Sequence, residues 1–78
     1  TTISFSLAKD AKNAEIIIYN IKGQKVKTLF NELLPAGEHS VVWNGRDNYG
    51  KSVSSGIYFY KLNVNGKTEA VKKCLLLK

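Results

Sequence analysis

A chain of 78 residues, with 44% hydrophobic residues and a formal net charge of +6, is long enough for one domain with a thin core. That hydrophobic content is too high for a disordered chain. The only cysteine, Cys74, excludes an internal disulfide, and one cysteine with one histidine is too few for a zinc site. We therefore expect a single domain, residues 1–78, that is held together by hydrophobic burial and has no cofactor or metal.

The positive charge comes from eleven lysines that are scattered along the chain and from a single arginine, Arg46. Proteins that read phosphates and bases favour arginine forks interleaved with aromatic side chains. Scattered lysines are instead typical of strands whose edges are protected from pairing. We predict no nucleic-acid partner, and no apolar run in the chain is long enough to span a bilayer.

Hydrophobic and polar residues alternate with a period of two along most of the chain, which indicates β-strands. The predicted strands cover residues 2–7, 14–19, 25–30, 39–43, 56–62 and 68–77. Val53 marks a possible seventh strand between two loops. Asn65-Gly66 is a two-residue hairpin signal, and Pro35 with Gly37 predicts a second turn. The pattern predicts an all-β protein, either an antiparallel sandwich or a small barrel.

Residue types that perform catalysis are few and dispersed. The only histidine, His39, is followed by Ser40 in a predicted strand, where neighbouring side chains point to opposite faces. A nucleophile and its base must be within hydrogen-bond reach, so these two do not form a catalytic pair. The six acidic residues are spread among turns and strand starts. We interpret His39 as a solvated strand residue and predict that the protein is not an enzyme.

The segment Asp47-Asn48-Tyr49-Gly50 has two interpretations. Asp47, Asn48 and backbone carbonyls could bind calcium, which prefers oxygen ligands. Alternatively, Asp and Asn side chains cap the turn themselves and Gly50 supplies a positive φ. Two good oxygen donors are too few for a tight calcium site, which favours the second interpretation.

The aromatic residues could form a platform for sugars. Trp43, Tyr49, Tyr58 and Tyr60 are the candidates for such stacking. However, Trp43 shares a predicted strand face with Val41, which favours a place in the core of a sandwich. Tyr58 and Tyr60 are similarly expected to be cross-strand packing partners.

Cys74 lies among apolar residues of the last predicted strand. We interpret it as a small buried hydrophobic residue. A reactive thiol would need positive charge nearby, and Lys72 and Lys73 leave that alternative open.

Two stretches of the sequence resemble a known family. They are residues 18–26, IYNIKGQKV, and residues 43–62, WNGRDNYGKSVSSGIYFYKL. Both resemble the C-terminal sorting domains of the type IX (Por) secretion system of the Bacteroidota and the related Ig-like domain of flagellar hook-capping proteins. The end of the chain, KKCLLLK, is similar to the basic-apolar-basic tail of such sorting domains. The family usually has a Pro-Asn-Pro-Phe-type segment before the first strand, and this chain begins after that point, at Thr1.

The resemblance implies an Ig-like, antiparallel β-sandwich of about seven strands at the C-terminus of a larger secreted protein. An outer-membrane translocon would recognise it, and a sortase would cleave it off or leave it as an anchor. The protein would then be secreted or on the cell surface, reached through the periplasm and outer membrane. The resemblance implies that the translocon recognises the tail residues, and that a set of aromatic, glycine and acidic residues defines the fold. The tail residues are Lys72, Lys73, Leu75, Leu76, Leu77 and Lys78, and the fold-defining residues are Trp43, Gly45, Asp47, Gly50, Gly56 and Tyr58.

Three functional hypotheses follow. The first is a domain that sorts an upstream cargo domain of the same polypeptide for secretion and surface attachment. The second is an Ig-like accessory or spacer module that packs against an upstream catalytic domain. The third is a carbohydrate-binding module that uses the aromatic residues. A tail with three exposed leucines between lysines would be prone to aggregation, which favours recognition, but leucines that complete the core would explain the same pattern.

Overall fold

The computed structural model describes residues 1–77, and in this part of the chain it has six β-strands and no helix. The prediction of an all-β antiparallel sandwich is confirmed. The strands are β1 (Thr2–Leu7), β2 (Ala11–Tyr19), β3 (Lys25–Leu34), β4 (Gly37–Val42), β5 (Gly56–Val64) and β6 (Lys67–Leu76).

The strands form two sheets of unequal size. One sheet has two strands, β1 and β4, and the other has four in the order β3-β2-β5-β6. All neighbouring strands are antiparallel. As a result, β6 and β3 are the edge strands of the larger sheet.

The core lies between the two sheets, where alternate residues of each strand point inward. Ile16 and Ile18 of β2 and Trp43 are fully buried there. Tyr58, Tyr60 and Leu62 of β5 are also buried in this cluster. Ile17 is buried on the opposite face of β2, as the apolar run in this strand predicts.

The hairpin between β5 and β6 is built as predicted from Asn65-Gly66. Both residues have positive φ, 51° and 83°, which is the geometry of a two-residue type I′ turn. The side chain of Asn65 also ties this turn to β2, since its Oδ1 accepts hydrogen bonds from the backbone N–H of Lys12 at 2.9 Å and of Asn13 at 3.1 Å.

Several local predictions were wrong: β2 begins at Ala11 rather than at residue 14, and Trp43 lies just after the end of β4. The third strand continues to Leu34, so the turn before β4 is shorter than expected. Val53 is not part of a strand, because only an isolated bridge between Arg46 and Ser52 forms in this loop. His39 is not freely solvated: its ring stacks on Phe5, with 5.5 Å between the centroids, and its Nε2–H donates a 2.7 Å hydrogen bond to the carbonyl of Pro35.

Candidate recognition surface

The loop between β4 and β5 is organised by Asp47. Its Oδ1 accepts hydrogen bonds from the N–H groups of Tyr49 and Lys51, each at 2.9 Å. The N–H of Gly50 donates to the carbonyl of Asp47 at 3.0 Å, which closes the turn with Gly50 at φ +80°. The Arg46 guanidinium donates to the carbonyl of Gly50 at 3.0 Å. Asp47 Oδ1 and the Asp47 carbonyl thus accept hydrogen bonds from backbone N–H groups of the loop itself. This favours the interpretation in which Asp47 caps the turn.

The same loop is attached to β3 by two hydrogen bonds and is closed by a third within the loop. The N–H of Asn48 donates to the carbonyl of Val26, and Asn48 Oδ1 accepts from the N–H of Thr28, so the loop is bound to β3. The N–H of Val53 donates to the carbonyl of Gly45 at 2.9 Å. Of the remaining predicted fold-defining residues, Gly45 is buried and Gly56 begins β5.

Three of the four candidates for sugar stacking lie in the core, which confirms the expected packing of Trp43, Tyr58 and Tyr60. Trp43 has no exposed surface, and Tyr58 and Tyr60 are buried with it in the core. Only Tyr49 is exposed, at 90%, and it lies alone in the loop. Of the four candidates, Tyr49 is therefore the one whose ring a sugar could reach.

The C-terminal strand β6 presents an unpaired backbone edge. Thr1 Oγ1 donates a 3.2 Å hydrogen bond to the carbonyl of Leu75, so this carbonyl points away from β5. Alternate residues of an antiparallel strand direct their backbone groups to the same side. Because the pairing with β5 is regular from Ala70 to Leu76, the N–H and C=O groups of Val71 and Lys73 also face the free side. These groups are available to a further strand.

The predicted recognition tail is divided between the core and the surface. Leu76 is 3% exposed and completes the core, as the second of the two alternatives for the tail leucines predicts, so exposure was the wrong expectation for this residue. Leu75 is 54% exposed, and Leu77 is also exposed. Lys73 lies on the same side of β6 as Leu75. Lys72 alternates with them and lies on the opposite side, and Lys78 is outside the described residues.

A cleft of about 590 Å³ opens between the two sheets beside β6. Phe5 and His39 line it from the smaller sheet, and Tyr60, Ala70 and Lys72 line it from the larger one. It exists because two strands do not cover a four-stranded sheet.

Cys74 lies half-buried in β6 and is a free thiol. Burial raises the pKa of the Cys74 thiol above its ordinary value, and the positive N-terminus opposes this with a smaller effect. Burial also raises the pKa of the Tyr60 phenol, to which the negative charge of a Cys74 thiolate would add. A raised pKa keeps the thiol protonated at neutral pH, which does not favour the reactive alternative.

Ile57 of β5 and Val71 of β6, unlike Leu75, were not recognised from the sequence as candidates for binding. In the structure Ile57 is the register partner of Leu75, and Val71 is the partner of Lys61, so all four lie on the outer face of the larger sheet. Ile57 and Val71 are exposed there. The alternation within β5 does separate Ile57 from the buried tyrosines, but the register with β6 is needed to place it beside Leu75.

Among residues 1–77, no three or more His, Cys, Asp or Glu side chains are grouped so that they could hold a metal ion. The described part of the chain also has no helix that is long and apolar enough to cross a membrane.

Comparisons with known proteins identify the fold. No curated protein is a significant match to the chain. The crystal structure of FlgD from P. aeruginosa is similar, with a TM-score of 0.73 and 27% sequence identity, and the match covers 96% of this chain and 58% of that chain. This chain therefore spans little more than half the length of that FlgD. Residues 1–69 match the family described as the FlgD Ig-like domain. The chain, an all-β protein with the Ig-like FlgD fold, belongs to the FlgD Ig-like domain family.

Proposed function

We propose that this Ig-like domain directs an attached cargo protein through the type IX secretion system to the cell surface. In this proposal the domain is not catalytic. The outer-membrane translocon recognises it through β6 and the residues that follow, and the sortase then acts on the chain. The observation that carries the proposal is the free edge of β6.

An open strand edge is a binding site for another extended chain. The backbone groups of Val71 and Lys73 point away from β5, and they have no hydrogen-bond partner among the described residues. The other edge strand of this sheet, β3, pairs with β2 through three register shifts, and such irregularities discourage further pairing. β6 therefore offers the more regular edge.

The side chains around this edge agree with recognition rather than with core packing alone. Leu75 and Leu77 remain exposed in the folded domain, and Lys73 is exposed between Leu75 and Val71. Exposed apolar residues of this kind promote aggregation unless a partner covers them. The tail sequence also resembles the tails of type IX sorting domains, as described above.

The test is an export assay in a bacterium that has the type IX system. A reporter is fused upstream of residues 1–78, with the Pro-Asn-Pro-Phe-type segment between them. Deletion of the tail is unsuitable because it would unfold the domain. Leu76 is part of the core, and the tail residues belong to β6, which pairs with β5. The variant is instead the double substitution Leu75→Ser and Leu77→Ser, which changes only exposed side chains.

We expect the unaltered fusion at the cell surface and the double variant in the periplasm. The matched control is Leu33→Ser with Ile21→Ser, which removes two exposed apolar side chains elsewhere. If the unaltered fusion remains in the periplasm, the sorting function is wrong. If it is exported and both variants are exported equally, the tail does not carry recognition, and the accessory-module hypothesis becomes the better one.

A further inference from the structure

The outer face of the larger sheet is an apolar and basic surface that extends well beyond the tail. We use the name β5–β6 face for the exposed outward side chains of Ile57, Val71, Lys73 and Leu75, together with Phe59 and Lys61 between them. The register places Leu75 beside Ile57, Lys73 beside Phe59, and Val71 beside Lys61. Three cross-strand pairs of β5 and β6 thus present apolar and basic side chains together.

The apolar part of this face is exposed in the folded domain. Ile57 is 45% exposed and lies beside the exposed Leu75, whereas Val71, which is 58% exposed, lies further along β6, with the Phe59–Lys73 pair between them. A contiguous exposed apolar surface, unlike scattered single residues, is typical of a binding site. Nothing in the described part of the chain covers these side chains.

The lysines of the face have no carboxylate partner. Neither Lys61 nor Lys73 forms an ion pair with an acidic residue of the part that the structure describes. Lys61 instead places its Nζ 5.3 Å from the ring centroid of Tyr19, which holds the positive charge at the sheet surface. Glu15 lies in the middle of β2, opposite Asn63, and its carboxylate accepts a hydrogen bond from the Asn63 side chain instead of pairing with a lysine of this face. The region around Phe59 and Leu75 is therefore both apolar and positively charged.

We infer that the β5–β6 face docks onto a protein surface of the secretion machinery that has an apolar centre and carboxylates around it. This inference rests on the proposed function and extends the recognition site from the tail to Ile57, Val71 and Lys61. Charge complementarity selects this partner, because acidic groups would pair with Lys61 and Lys73 while the apolar side chains are buried. A second copy of the same face would bring like charges together, which disfavours self-association.

The experiment uses the same reporter fusion in the same bacterium. The test variant is Ile57→Ser with Val71→Ser, which leaves the tail residues unchanged. The matched control is Val42→Ser with Leu33→Ser, which removes two apolar side chains that are 67% and 70% exposed on other surfaces. Residues of a binding centre each contribute more than the surrounding ones, so we expect surface reporter to fall about tenfold in the test variant and to be unchanged in the control.

A charge pair tests the acidic character of the partner. Lys73→Glu is expected to reduce export about as strongly as the apolar variant, and Lys51→Glu, in the exposed loop, is expected to have no effect. Purified variant fusions must unfold at the same temperature as the unaltered fusion, so that a loss of export reports binding. A photo-crosslinking residue at position 57 then identifies the neighbour during export, with one at position 42 as the control.

The outcomes separate this inference from the proposed function. If the unaltered fusion is not exported, both are wrong. If the tail variant blocks export and the Ile57 and Val71 variant does not, the sorting function stands and the β5–β6 face is not part of recognition. A crosslinked adduct of the mass of two fusions, or no protein adduct at position 57, would assign the face to a second copy or to a lipid surface and would overturn the inference.

Discussion

The rings of Trp43 and Tyr58 meet edge to face, with 5.0 Å between their centroids and 77° between their planes. Each also directs its polar atom to a loop carbonyl. Trp43 Nε1–H donates to Arg46 at 3.0 Å, and the Tyr58 hydroxyl donates to Ser54 at 2.7 Å. The pair therefore fills the end of the core and fixes both ends of the long loop, which explains why buried aromatic residues occur beside a turn-rich segment.

The contribution of the Tyr58 hydrogen bond to stability can be measured by removing the hydroxyl oxygen. Tyr58→Phe retains the ring contact with Trp43 and loses the bond to Ser54, so we expect the free energy of unfolding to fall by about 1 kcal/mol. Urea denaturation followed by tryptophan fluorescence measures the change. Tyr49→Phe, on an exposed tyrosine, is the control and should leave stability unchanged. An equal effect of the two substitutions would show that the Ser54 bond contributes nothing.

The role of Asp47 distinguishes turn formation from calcium binding. Asp47→Ala removes an acceptor for two backbone N–H groups and should destabilise the domain by about 1–3 kcal/mol, whereas Asp47→Asn keeps an acceptor oxygen and should cost less. Thermal unfolding is measured in calcium and in chelator, and we expect the same midpoint in both. A midpoint that rises with calcium in the unaltered protein, and not in Asp47→Asn, would establish a calcium site instead.

The tail offers two adjacent leucines with opposite environments. Leu76→Ala opens a cavity in the core and should cost about 2–5 kcal/mol, which can unfold a domain of this size. Leu75→Ala changes an exposed side chain and should alter stability by less than about 0.5 kcal/mol. Urea titration of both variants gives the comparison. Similar losses would mean that Leu75 is also buried in solution.

This division of the tail could not be predicted from the sequence, and the reason is a single irregularity. The hairpin at Asn65-Gly66 was evident, and a regular ladder from the Val64–Lys67 pair would place Ile57 opposite Cys74. A register shift between Leu62 and Asn63 places Ile57 opposite Leu75 instead. Such a bulge has no distinct residue pattern here. The alternation of apolar and polar residues therefore predicted the strands and showed that each has an inward face. It did not predict which residues of β5 and β6 are opposite each other.

The loop residues show a similar limit. Turn-forming composition correctly indicated a structured loop between β4 and β5, because Asp, Asn and Gly have local hydrogen-bonding and φ preferences. It did not indicate that Asn48 binds β3 through Val26 and Thr28, since that contact depends on the folded position of the loop. The half-buried stack of Phe5 on His39 was missed for the same reason.

Asn65 combines a backbone and a side-chain role that two substitutions can separate. Asn65→Gly keeps the positive φ and removes the acceptor for Lys12 and Asn13, whereas Asn65→Ala removes the acceptor and also strains the turn. A β-carbon at this φ costs about 1–2 kcal/mol, so the alanine variant should be the less stable of the two by roughly that amount. Urea denaturation of the pair measures the difference. Equal stabilities would contradict a strained turn.

Alkaline pH should destabilise the domain through Cys74. Because burial raises the pKa of this thiol, the folded state favours the protonated form, while the thiol of the unfolded chain ionises near its ordinary value of 9.0. The stability is therefore fully present below about pH 9 and is lost as the pH rises through the folded pKa. Cys74→Ala should make stability less dependent on pH in this range, although Tyr60, whose pKa is also raised by burial, will retain part of the dependence. Urea unfolding between pH 8 and pH 11 checks this, in roughly half-unit steps. A pH dependence that is identical in the two proteins would show that the Cys74 thiol is not desolvated by folding.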